Sequence, residues 1–117
     1  MNRSIRVGVL SHETHSLVVE AALERGNDVI VGAAPPATVC LQGWSEPPML
    51  VVDGEDLLLR PGMRVNMCGP AGENRIVGTF EELFDGDGVR RIAIGNRRVN
   101  VCVNARFTLF IDAEFRR

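Results

Sequence analysis

The chain contains no lysine and no tyrosine, and its aromatic content is one tryptophan and five phenylalanines. Small β barrels that bind RNA combine positive charge with aromatic platforms on which bases stack. With Trp44 remote from the basic residues, such a platform is hard to assemble here. All 13 basic residues are arginine, a bias that G- and C-rich codons account for without any selected guanidinium surface.

No apolar run approaches the roughly 20 residues needed to span a bilayer, and the N-terminal stretch Met1 to Ile5 lacks the apolar block of a secretory signal. From these absences we expect a cytoplasmic protein with no membrane partner. Three cysteines, Cys40, Cys68 and Cys102, form an odd set without CxxC spacing, so neither a disulfide framework nor a zinc ribbon is indicated. Reduced thiols follow, and no cofactor is implied.

What the chain does contain is the material of one folded unit. Its 117 residues, 45% hydrophobic and 24% charged, match the size and composition of a globular domain with its own core. No linker or low-complexity tract divides it, so residues 1–117 are read as one domain. Charge is unevenly placed. Residues 1–87 carry 6 arginines against 13 acids, whereas residues 88–117 carry 7 arginines against 2 acids. Such asymmetry suits a polyanion-binding face, head-to-tail association of copies, or two halves that neutralise one another.

Periodicity predicts mainly β structure. Residues 5–10, IRVGVL, alternate as a strand. Residues 16–25 are rich in Ala, Leu and Glu and end at Gly26, which predicts an amphipathic helix with a left-handed cap. The competing reading is a strand with Leu17, Val19, Ala21 and Leu23 on one side, paired through the 25–27 turn with residues 28–32. Beyond that point turn signals recur every 8 to 12 residues. Asp53-Gly54 lies between apolar arms as in a hairpin, Pro61-Gly62 and the 69–74 stretch read as turns, and so do Asp85-Gly86-Asp87-Gly88 and Gly95-Asn96. The fold class expected is α+β with mainly β content: a small barrel or sandwich of short antiparallel strands, one N-terminal helix, and a long C-terminal alternating element.

That last element carries the strongest pattern. From Val99 to Ile111 every odd position is apolar, while the even positions include Asn100, Cys102, Asn104 and Arg106. The run is longer than an ordinary strand of about 5 or 6 residues, so it is either one curved strand or a hairpin bent near residues 104–106. The segment RVNVC at 98–102 also echoes RVNMC at 64–68 with the same parity. A duplicated unit and a shared strand grammar both explain the echo.

Candidate chemistry is sparse. In SHETHS, residues 11–16, His12 and His15 stand three apart and could ligate a metal or a ligand, one residue short of the HExxH spacing of zinc hydrolases. A polar loop that caps the next element explains the same residues. Arg90, Arg91, Arg97, Arg98 and Arg106 support a nucleic-acid reading without an aromatic platform. No set specifies a reaction, so the chain reads as a non-enzymatic assembly or interaction module. Its partner would be another copy or another protein, meeting an interaction face of Arg98, Asn100, Cys102, Asn104 and Arg106 by strand addition to a long C-terminal edge.

Overall fold

The computed structural model describes residues 4–69, 75–86 and 88–113. Among these residues eleven strands form two sheets. Sheet A has the order β2-β1-β11-β10-β7-β8, built from β1 (Ser4–Ser11), β2 (Ser16–Glu24), β7 (Arg64–Cys68), β8 (Ile76–Thr79), β10 (Arg98–Cys102) and β11 (Phe107–Asp112). Sheet B has the order β4-β3-β5-β6-β9, from β3 (Val29–Gly32), β4 (Val39–Cys40), β5 (Met49–Asp53), β6 (Asp56–Leu59) and β9 (Arg90–Ala93). Pairing is antiparallel except between β3 and β4. Neither sheet closes into a barrel.

One hydrophobic cluster takes side chains from both sheets. Val7 and Val9 of β1, Val99 and Val101 of β10, and Leu109 and Ile111 of β11 meet Val29, Val31, Leu57 and Leu59 of sheet B. Within β10 and β11 the period-two pattern does what alternation does on a half-buried sheet: odd positions enter the core and even positions face outward, while Ala105 in the turn between them is exposed. It is a hairpin, not one strand, because the chain turns at residues 103–106 and β11 folds back on β10.

The expected N-terminal helix is absent. Residues 16–24 are strand β2, paired with β1 along its length with one irregularity between Val9 and Leu10. A ten-residue helix is marginal in water by itself, whereas the strand places Val19, Ala21 and Leu23 beside Val9, Val7 and Ile5. The competing strand reading had the right parity for Val19, Ala21 and Leu23, but the irregularity turns Leu17 to the other side, and its partner was wrong, since β3 pairs with β4 and β5. Gly26 does adopt the left-handed backbone, at φ +94°, but in a turn after a strand.

Within the described residues one short helix, α1 (Phe80–Leu83), occurs. Thr79 accepts a hydrogen bond from the Glu82 amide while the Glu82 carboxylate accepts from the Thr79 amide, a closed capping box. Buried Phe80 anchors it to the core.

The turns follow their residues. Gly54, at φ +64°, is the first of the two residues joining β5 to β6, where hairpin turns favour glycine. Pro61-Gly62 forms a turn closed by the Met63 amide on the Arg60 carbonyl at 3.1 Å, with Gly62 at φ +88°, as a type II turn requires. The turn read at 69–74 and Asp87 of the Asp-Gly turn lie largely or wholly outside the described residues.

On the outer side of sheet B, Arg91 pairs with Asp53 and with Asp56. Hydrogen bonding to Asp53 and its charge, helped by Asp56, raise the guanidinium pKa above its ordinary value.

Candidate functional site: the outward face of sheet A

Register decides which side chains share the outward face. Val7 and Val9 point into the core, so Arg6, Gly8 and Leu10 point out, and pairing carries that parity across the sheet. One row runs Ala22, Arg6, Asp112, Arg98, Cys68. The next runs Glu20, Gly8, Phe110, Asn100, Asn66, Val77. The third runs Leu17, Leu10, Thr108, Cys102, Arg64, Thr79. Leu17 lies over Gly8, whose absent Cβ would meet its Cδ1 at 3.1 Å. Among the described residues no element covers this face.

Its charges are sorted from side to side. On the β2 flank, Glu20 and Glu24 are exposed; towards the β7 and β8 flank, Arg64 and Arg98 are exposed, with exposed Arg75 just before β8. Between them Asp112 stands opposite Arg6 on one strand and Arg98 on the other, a favourable cross-strand arrangement. Apolar side chains are interspersed. Leu17 and Val77, at opposite margins, are nearly half exposed.

The RVNMC and RVNVC segments lie side by side in sheet A. The two segments are neighbouring antiparallel strands, with Asn66 opposite Asn100, Arg64 opposite Cys102 and Arg98 opposite Cys68. All three cysteines are free thiols.

The five residues expected to form one interaction face separate into two groups. Arg98, Asn100 and Cys102 lie on the outward face. Asn104 and Arg106 belong to the β10–β11 turn and bind the loop after β4. Asn104 donates to the Glu46 carboxylate at 2.6 Å, and its Oδ1 accepts from the amides of Arg106 and Phe107 at 2.8 and 2.9 Å. Arg106 donates to the Gly43 carbonyl at 3.0 Å and sits 5.7 Å from the ring centroid of Phe107. Phe107 in turn lies 6.1 Å from Trp44. Both residues fasten the turn to that loop.

The expected edge is also absent. β11 is flanked by β1 and β10, and β10 by β11 and β7, so neither can accept another strand. The missed contributors are Glu20, Glu24, Arg64 and Asn66. Parity in the echo already put Arg64 and Asn66 on one side of their strand, but which strand they join is a long-range fact.

The SHETHS segment is the tight turn between β1 and β2, closed by the His15 amide on the Ser11 carbonyl at 2.9 Å. His12 spans to β11. Its Nδ1 donates to the Ala105 carbonyl at 2.8 Å, and its Nε2 lies 2.6 Å from the Thr108 hydroxyl. With the proton on Nδ1, that hydroxyl donates to Nε2, so both ring nitrogens are engaged. His15 is exposed with φ +54°. Among the described residues no group of three or more His, Cys, Asp or Glu is placed to hold a metal ion.

The arginines of the last third are dispersed. Arg90 and Arg91 lie on β9 of sheet B, Arg98 on the outward face of sheet A, and Arg106 in the β10–β11 turn. Comparison of the chain with protein-family models, with curated protein sequences and with solved structures finds no match. No helix among the described residues is long and apolar enough to cross a membrane.

Proposed function

We propose that the protein is a non-enzymatic assembly module whose copies associate face to face through the outward side of sheet A, centred on the C-terminal strands β10 and β11. The observation that carries this reading is the uneven charge across an uncovered face, with Glu20 and Glu24 on the β2 flank and Arg64, Arg75 and Arg98 towards the β7 and β8 flank, Arg6 of β1 being the exception.

Two twofold axes can lie in the plane between such faces. An axis across the strands sets β2 over β2 and brings like charges together. An axis along the strands sets β2 over β8, β1 over β7 and β11 over β10, which brings Asp112 over Arg98 and turns the β2 glutamates towards the flank that carries Arg64 and Arg75. The second arrangement is self-complementary, as an isologous dimer requires.

Area limits the strength. Six strands about 4.8 Å apart and about 17 Å long give roughly 450 Å² of projected face per copy. That is near half the ~800 Å² per partner of a standard stable interface. A small face of this kind suits a weak, reversible dimer, and its attraction should weaken with salt.

The test is to reverse each flank separately and then mix the products. Arg64→Glu/Arg98→Glu protein and Glu20→Arg/Glu24→Arg protein should each be monomeric, and the mixture should form a heterodimer. If the mixture stays monomeric while the native chain dimerises, the flanks do not meet.

A further inference from the structure

Sheet A has six strands and sheet B five, and the mismatch leaves β2 exposed at one margin. β2 is the longest strand, at nine residues, and among the described residues it pairs with β1 alone. Along its free side it therefore presents a row of backbone donors and acceptors that the sheet does not use. Beneath it the margin of sheet B is β4, a strand of two residues. The core-side row of β2, Val19, Ala21 and Leu23, consequently remains only half-buried. At the β1–β2 turn end of these margins a cleft opens, with Val18 and Val19 on one wall, Cys40 and Leu41 on the other, and Glu13 and Arg106 also lining it. The opposite row, Glu20, Ala22 and Glu24, is exposed and acidic.

We propose that β2 is a strand-addition site for an extended segment of a partner protein, basic on one face and apolar on the other. Backbone pairing supplies the attachment, and alternate side chains supply the selection. Apolar residues of the incoming strand would cover Val19, Ala21 and Leu23, with one entering the cleft beside Val19. Residues of opposite parity would stand beside Glu20 and Glu24, four positions apart, where lysine or arginine is favoured and a carboxylate is opposed.

A second copy of β2 fits poorly. Antiparallel pairing centred on Ala22 sets Glu20 against Glu24 of the other copy, and centring on Glu20 sets it against itself. Centring on Ala21 or Leu23 leaves glutamates as diagonal neighbours. Charge thus favours a different chain; the site shares Glu20 and Glu24 with the outward face but attaches through the free edge of β2, which face-to-face association leaves open.

The experiment uses a labelled nine-residue peptide of alternating lysine and valine, matched to the length of β2, with binding read by fluorescence anisotropy. It is run on the native chain and on Arg64→Glu/Arg98→Glu protein, in which face association is disabled and β2 is unaltered. Saturable binding to both is expected, weakened at least about tenfold by Glu20→Arg/Glu24→Arg. Two further peptides carry N-methyl groups on one or the other set of alternate amides, which removes donors from one edge while keeping every charge. One should bind as the parent does and the other should lose binding. Absence of binding, indifference to the glutamate reversal, or equal binding of both methylated peptides would overturn the proposal. It would also be overturned, in favour of a second copy, by a dimer that persists in Arg64→Glu/Arg98→Glu protein and is lost in Glu20→Arg/Glu24→Arg protein.

Discussion

Asn66 and Asn100 stand directly opposite each other on neighbouring antiparallel strands, and the five-residue segments around them are related by a local twofold axis through that pair. Each arginine therefore faces the cysteine of the other segment, and the two cysteines lie at opposite ends of the strand pair. Cys102 is four residues along β10 from Arg98, the partner of Cys68, which sets the thiols about 13 Å apart along the strands. A disulfide needs Cα atoms within about 7 Å. Mild oxidation of the folded monomer should yield no Cys68–Cys102 crosslink in peptide mass analysis. Finding one would contradict the β7–β10 register.

Val101 is fully buried, opposite Leu109 on one side and Val65 on the other. Val101→Asp places an unpaired carboxylate in that core at a cost of more than about 4 kcal/mol. That approaches the whole stability of a small domain, about 5 to 15 kcal/mol. Circular dichroism should show a largely unfolded chain at room temperature. Asn100→Asp on the exposed side of the same strand should leave the thermal midpoint within a few degrees of the native value.

Asn104 holds three hydrogen bonds in the β10–β11 turn. Asn104→Ala should cost about 1 to 2 kcal/mol in urea denaturation. Asn104→Asp keeps the two bonds to backbone amides, and loses the donor to Glu46. At high salt, where repulsion from Glu46 is screened, the aspartate protein should be the more stable of the two.

Because both His12 nitrogens are engaged by Ala105 and Thr108, the β1–β2 turn lacks a free imidazole pair for a metal. Protein purified without an affinity tag should carry no stoichiometric zinc by elemental analysis. His12→Ala should lower stability by about 1 kcal/mol, the scale of a lost hydrogen bond. Stoichiometric zinc released by His12→Ala/His15→Ala would restore the metal-site reading.

The sequence made legible what is local. Alternation from Val99 to Ile111 assigned the core side of both C-terminal strands and failed at Ala105, which the turn exposes, and Asp53-Gly54 and Pro61-Gly62 marked turns that form. Residues 16–24 misled because Ala, Leu and Glu favour a helix locally, while the strand is chosen by pairing with β1. The candidate site was half legible. Arg98, Asn100 and Cys102 were assigned to a common side by parity. Asn104 and Arg106 share that parity in sequence, but the turn bends them away to Glu46 and Gly43. That β10 and β11 are interior strands, and that Glu20 and Arg64 flank one face, depends on strand order, which periodicity does not encode.

Solution mass by light scattering, across protein concentration and from low to about 1 M salt, tests the assembly reading most directly. Screening shortens from about 10 Å at 0.1 M to about 3 Å at 1 M. A dimer is predicted at low salt and high concentration. It should dissociate as salt rises, be absent in Arg64→Glu/Arg98→Glu protein, and return when that protein is mixed with the Glu20→Arg/Glu24→Arg protein. A monomer under every condition, or a dimer indifferent to both salt and these substitutions, would contradict it.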